Sequence, residues 1–68
     1  MQPYQELFLK EIDELADRTQ KLEAMIEKYA KKELDFTPTC SLELLTMQLN
    51  AMKSYLTILQ VRKGIEGL

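Results

Sequence analysis

The chain has 68 residues, a formal net charge of −2 at pH 7, no histidine and one cysteine. A chain this short forms at most one domain with a small core, and one cysteine excludes an internal disulfide and argues against a structural zinc site. The slightly acidic charge gives no electrostatic reason to expect a DNA or RNA duplex as partner.

The N-terminal segment MQPYQELFLKEIDE lacks the basic start and the long apolar stretch of a signal peptide. No apolar run reaches the roughly 18 residues that a membrane span needs. We therefore expect a cytoplasmic protein without a membrane partner, and a lone cysteine fits such a reducing compartment.

The first predicted element is a long amphipathic helix over residues 3–32. Apolar residues recur at alternating steps of four and three, which is the heptad spacing of a helix that packs on another helix. Its members are Phe8, Ile12, Leu15, Thr19, Leu22, Ile26 and Tyr29. Pro3 suits the first turn, and acids near the start with lysines near the end complement the helix dipole.

The rest of the chain predicts a loop over 33–38, a second helix over 39–63 and a frayed tail over 64–68. Pro38 interrupts the helical pattern, and Thr37, Thr39 and Ser41 are all able to cap the next helix. The second helix has its own heptad seam, which is Leu42, Leu45, Leu49, Met52, Leu56 and Leu59. With a short connection, the whole chain (1–68) is predicted to be all-α, a single antiparallel two-helix hairpin domain.

The second helix also carries a second apolar row beside its seam, formed by Leu44, Ala51, Tyr55 and Ile58, with Ile65 at its end. The two rows together cover more of the helix than one partner helix can bury. Few charges separate them, and a polar uncharged side chain is far cheaper to bury than a charge. We therefore expect a neighbour on both sides, so that hairpins assemble into a homo-oligomeric helical bundle or dock on another protein.

The sequence offers little catalytic chemistry. It has no histidine, and Cys40 near a helix start has no base at hand, so a residue in a cap turn is the favoured interpretation. No glycine-rich phosphate loop is present, because both glycines lie at the C-terminus. We expect no enzyme, no catalytic residues, no bound metal and no cofactor.

The order of residues in both helices resembles a known group of sequences. Lys21–Ile26 (KLEAMI) and the pattern Leu44-Leu45, Gln48-Leu49, Ala51-Met52, Tyr55, Leu59, Arg62 are similar to short helical-hairpin proteins of unknown function in crAss-like and other tailed phages. The resemblance covers nearly the whole chain, and the loop LDFTPTCS departs from the more acidic connection of that family. It implies a small bacteriophage protein that acts in the host bacterial cytoplasm.

A weaker similarity, in architecture and in the positions of Leu49, Tyr55 and Arg62, is to the anti-CBASS and anti-Thoeris nucleotide sponges of phages. Those proteins are oligomeric helical hairpins that sequester cyclic nucleotide signals without catalysis. The similarity implies an anti-defence function for this chain, namely binding of a cyclic di- or trinucleotide. Alternatives are a protein-binding module, which inhibits or assembles a host or phage protein, and a purely structural coiled-coil subunit.

The candidate residues follow from these hypotheses. A phosphate needs Lys or Arg with a hydroxyl or backbone donor, and a base needs an aromatic or apolar face. The candidate ligand-binding residues are Arg62, Lys63, Tyr4, Tyr55, Thr57 and Ser54. The candidate oligomer-interface residues are Leu44, Ala51, Tyr55 and Ile58. Tyr55 is compatible with core, interface or ligand contact, and Arg62 and Lys63 are also suited to pairing with Glu6 or Glu11 within the hairpin.

Overall fold

The structure, a computed structural model, describes residues 1–68. Two helices, α1 (Pro3–Ala30) and α2 (Leu42–Ile65), pack against each other as a hairpin with no strands, which confirms the all-helical prediction. The hairpin measures 45 × 18 × 16 Å, so every core residue lies in one thin layer between the helices. Neither helix is long and apolar enough to cross a membrane.

Helix α1 ends two residues before the predicted boundary because the backbone turns at Lys32. Lys32 has a φ of 60°, in the left-handed region that favours glycine. This turn lets the backbone N–H of Glu33 donate to the carbonyl of Lys28 at 2.8 Å and that of Lys32 donate to Tyr29 at 3.0 Å. The last carbonyls of α1 are thus satisfied in a Schellman arrangement without a glycine.

Helix α2 is shifted toward the C-terminus relative to the predicted 39–63. Ser41 is its N-cap, with the side-chain oxygen accepting the backbone N–H of Leu44 at 3.1 Å, so the loop extends over 31–41. The helix continues through Gly64 to Ile65, and Gly67, with a φ of 71°, makes the terminating turn. Gly64 therefore lies within the helix, and the glycine that ends it is Gly67.

The core is formed by the two predicted seams. All members of both seams are buried or half-buried, and Leu59 is 0% exposed between Ile12 and Leu15. Thr19, the polar member, is also buried, and its hydroxyl donates to the carbonyl of Leu15 at 2.6 Å. The seam therefore contains no unsatisfied polar atom at this position.

Candidate functional site

A cavity of about 340 Å³ lies between the start of α1 and the end of α2. The antiparallel packing brings these two ends together, although they are far apart in the sequence. The residues that line it are Tyr4, Leu7, Phe8, Glu11, Tyr55, Arg62 and Glu66. Three of the six predicted ligand-binding residues, Tyr4, Tyr55 and Arg62, therefore share one site.

The guanidinium of Arg62 lies over the ring of Phe8, 4.7 Å from its centroid. Such a cation–π contact holds the planar group in place without using its hydrogen-bond donors. The three ion pairs of the hairpin are Lys10–Glu14, Lys21–Asp17 and Lys53–Glu23. Arg62 belongs to none of them, so the predicted pairing of Arg62 with Glu6 or Glu11 does not form, and its donors remain available to a ligand.

Tyr55 links the two helices across the same cavity. Its hydroxyl donates a hydrogen bond to the carboxylate of Glu11. This hydrogen bond, with smaller effects from partial desolvation and from the charge of Glu11, raises the pKa of Tyr55 above its ordinary value of 10.0, while the charge of Arg62 acts in the opposite direction. The hydrogen bond thereby positions the phenol ring at the cavity.

The lining of the cavity offers one cation to an anionic group and two carboxylates to hydrogen-bond donors. Arg62 is the one cation in the lining, beside the carboxylates of Glu11 and Glu66. The cation suits a phosphate, the carboxylates accept hydrogen bonds from amino or hydroxyl groups, and Tyr4 and Tyr55 offer aromatic faces. Nowhere in the hairpin do three His, Cys, Asp or Glu side chains come together as a metal site.

The other three predicted ligand-binding residues lie outside this cavity. Lys63 is half-buried and continues the packed seam of Leu56 and Leu59. Thr57 is exposed, and its hydroxyl donates to the carbonyl of Lys53 at 2.9 Å within α2. Ser54 is exposed on the side of α2 that faces away from the core. Their part in ligand binding remains a prediction.

The predicted interface residues Leu44, Ala51, Tyr55 and Ile58 are all exposed on the isolated hairpin. The structure adds two apolar residues to this surface, Met47 (67% exposed) and Val61 (59% exposed). Both were missed by the sequence reasoning. The signal was present, since each lies three residues after Leu44 or Ile58, at the spacing of a second heptad seam.

Two further cavities lie at the loop end of the hairpin. The larger, of about 530 Å³, is lined by Lys21, Ala24, Met25, Lys28, Glu33, Leu34, Asp35 and Phe36, and the smaller, of about 190 Å³, by residues between Tyr29 and Pro38. The larger one carries two lysines and two carboxylates, and the cavity at the helix ends carries one cation and two carboxylates, so charge does not decide between them. The predicted binding residues all lie elsewhere, and the cavity at the helix ends is the better candidate.

Comparison with known proteins gives one match. The Sequestin family matches residues 2–64, which includes both helices and every residue of the cavity except Glu66. No curated protein and no solved structure matches. The name of the family suggests sequestration of a signal molecule. Because the match spans almost the entire hairpin, the chain belongs to the Sequestin family.

Proposed function

We propose that this chain is a phage counter-defence protein that binds and sequesters a cyclic oligonucleotide immune signal in the host bacterial cytoplasm. It acts by stoichiometric binding as a homo-oligomer, not as an enzyme, and needs no cofactor. Membership of the Sequestin family supports sequestration of a signal molecule. The observation that carries the nucleotide assignment is the convergence of Arg62, Tyr4 and Tyr55 on one cavity.

Each group in the cavity has a role in this proposal. Arg62, held on the ring of Phe8, donates charge-assisted hydrogen bonds to a phosphate. Tyr4 and Tyr55 stack against a base. The carboxylate of Glu11 accepts a hydrogen bond from an exocyclic amine or a ribose hydroxyl, in addition to the one from Tyr55. Each hairpin thus binds one base with its phosphate.

The size of the cavity indicates that one hairpin gives an incomplete site. A volume of about 340 Å³ is at the lower end of the range of about 300–1,000 Å³ for small-molecule sites. The cavity is a groove along two helices, and a ligand in it would leave one side in water. A neighbouring copy on the exposed apolar face of α2 would supply the missing wall.

Isothermal titration calorimetry with a panel of cyclic di- and trinucleotides tests the proposal. We expect a member of the panel to bind the unmodified protein and Arg18→Ala with equal affinity. Arg62→Ala should bind it roughly 10- to 100-fold more weakly, because a hydrogen bond to a charged group contributes about 1.5–3 kcal/mol. Arg18→Ala is a matched control, since it removes the same kind of side chain from an exposed position outside the cavity.

Two results would contradict the proposal. If no member of the panel binds, the nucleotide assignment is wrong. If Arg62→Ala and Arg18→Ala weaken binding equally, the effect is one of net charge and not of the cavity. Circular dichroism of both variants shows whether the hairpin is intact.

A second candidate function is supported by the exposed apolar face of α2. Ala51, Tyr55 and Ile58 form part of a surface that would dock on a host or phage protein and inhibit or assemble it. This function would be favoured if the chain binds none of the nucleotides, remains monomeric and retains one partner protein from an infected-cell extract. A coiled-coil subunit of a larger structure would instead associate with itself and bind neither a nucleotide nor another protein.

A further inference from the structure

Helix α2 carries a complete second heptad seam on the side away from its partner helix. Its members follow one another at steps of three and four and are Leu44, Met47, Ala51, Ser54, Ile58, Val61 and Ile65. This set, the second seam, contains no charged residue. Its five large apolar members are between 52% and 80% exposed on the isolated hairpin.

The extent of the second seam matches what a stable dimer buries. It spans about 32 Å along the helix at about 1.5 Å per residue. Its side chains expose roughly 600 Å² per copy. A standard protein–protein interface buries about 800 Å² per partner, which is of the same order. An uncharged apolar stripe of this size marks an interaction surface and not a solvated face.

The order of side-chain sizes within the second seam is self-complementary. When two copies of α2 run antiparallel about a two-fold axis between Ala51 and Ser54, each layer pairs residues of similar size. The layers across the two copies are Leu44 with Val61, Met47 with Ile58, and Ala51 with Ser54, followed by the same pairs in reverse order. Ile65 lies beyond the last layer, since α2 of the other copy begins at Leu42. The small central layer permits close approach of the helices, and the large layers fill the space on either side.

We propose that a second copy of this chain covers the second seam in this antiparallel register and places its Gln48 beside Tyr55 at the edge of the ligand cavity. Opposed helix dipoles favour the antiparallel direction. The same register places no like charges opposite each other, because each adjoining column of α2 holds a single charge. One column carries Gln48, Tyr55 and Arg62, and the other carries Glu43, Asn50 and Thr57.

The association bears directly on the cavity. Gln48, Tyr55 and Arg62 are seven residues apart, so they form one column that adjoins the second seam. A second α2 on that seam becomes the third wall of the groove, and Gln48 of the second copy brings an amide that both donates and accepts hydrogen bonds. The packing of the copies stands on side-chain complementarity alone, whereas the ligand contact of Gln48 rests on the function proposed above.

Cysteine cross-linking tests the register, in a Cys40→Ser background because Cys40 is exposed and is the only native cysteine. The double variant Leu44→Cys, Val61→Cys should form covalent dimers on oxidation. Leu44→Cys alone should not, because the two copies of residue 44 are about 26 Å apart in this register at about 1.5 Å per residue, too far for a disulfide. Leu44→Cys cross-linking alone would show parallel packing and overturn the register.

Sedimentation of the nucleotide-free protein tests the interface itself. We expect a dimer or a multiple of it that Ile58→Glu dissociates and that Glu43→Gln, a control at the edge of the seam, leaves unchanged. A monomer at all concentrations, or an oligomer that Ile58→Glu leaves intact, would overturn the proposal. A cross-linked dimer that binds no nucleotide would leave the interface standing and refute the proposed function instead.

Discussion

Two adjacent residues of α2 offer the sharpest test of a helix with two packed faces. Leu59 is 0% exposed between the helices, and Ile58 beside it is 56% exposed on the isolated hairpin. Truncation of either residue to alanine removes a side chain of the same composition. The two variants therefore differ in location and hardly at all in the chemistry removed.

The expected magnitudes differ strongly. Burial of Leu59 against Ile12, Leu15 and Phe8 puts Leu59→Ala in the class of core truncations that cost about 2–5 kcal/mol. We expect Leu59→Ala to lower the free energy of unfolding by about 2–3 kcal/mol, because a core one layer thick can partly close over the space that the removed side chain leaves. A chain of 68 residues has a free energy of unfolding of about 3–10 kcal/mol, so Leu59→Ala removes a large part of it.

Ile58→Ala should behave differently because its packing partner is another copy. Association stabilises the folded state by mass action, so the unfolding midpoint of the unmodified protein should rise with protein concentration. Ile58→Ala should lose most of that rise and change stability by only about 0.5 kcal/mol in dilute solution, as surface substitutions do. Leu59→Ala should keep the rise but lie below the unmodified protein at every concentration.

The assay is urea unfolding followed by circular dichroism at several protein concentrations. If Leu59→Ala costs under about 0.5 kcal/mol, the described core is wrong. If Ile58→Ala is as damaging as Leu59→Ala in dilute solution, Ile58 is part of the core of a single hairpin and the two-faced description of α2 fails.

Two further predictions concern the loop and the tyrosine at the cavity. Lys32→Gly should stabilise the hairpin by about 1 kcal/mol in urea unfolding, because Lys32 has a left-handed backbone conformation. The control Lys31→Gly should destabilise the hairpin, because φ of Lys31 is −86°. Equal effects of the two substitutions would refute the left-handed turn at Lys32. Glu11→Leu should lower the pKa of Tyr55 toward 10.0 in a phenolate absorbance titration, because it removes the hydrogen-bond acceptor that is the main cause of the raised pKa. Since this folded-state pKa is raised, the stabilisation from the hydrogen bond is present below pH 10.0 and is lost as pH rises through the raised pKa. An unchanged titration of Tyr55 in Glu11→Leu would contradict this account.

The helices and their packed faces could be predicted from the sequence because heptad spacing records which side of a helix is buried. Leu45, Leu49 and Leu59 are buried as their spacing predicts. The predicted helix ends were less accurate than the predicted packed faces. Three residues before α2 are able to cap it, and the structure shows that Ser41 accepts the hydrogen bond from the helix. At the end of α1 the turn is made by Lys32, so no glycine marks it in the sequence.

The candidate site could be predicted only in part. The sequence indicated Tyr4, Tyr55 and Arg62 by residue type, and the hairpin brings them together. Glu11 was not predicted as a ligand contact, because its hydrogen bond with Tyr55 depends on the register of two helices that are distant in the chain. Lys63 was predicted for its charge; its helical position places it half-buried on the packed seam and outside this cavity, and its part in binding remains a prediction.

Native mass spectrometry of the purified protein, alone and with the panel of cyclic di- and trinucleotides, tests the central claim most directly. We predict a discrete oligomer that gains ligand in a fixed ratio from at least one member of the panel, and that gains much less under the same conditions when Arg62 is replaced by alanine. An oligomer or monomer that gains no mass from any member would contradict the claim that the cavity of Tyr4, Tyr55 and Arg62 sequesters a cyclic nucleotide.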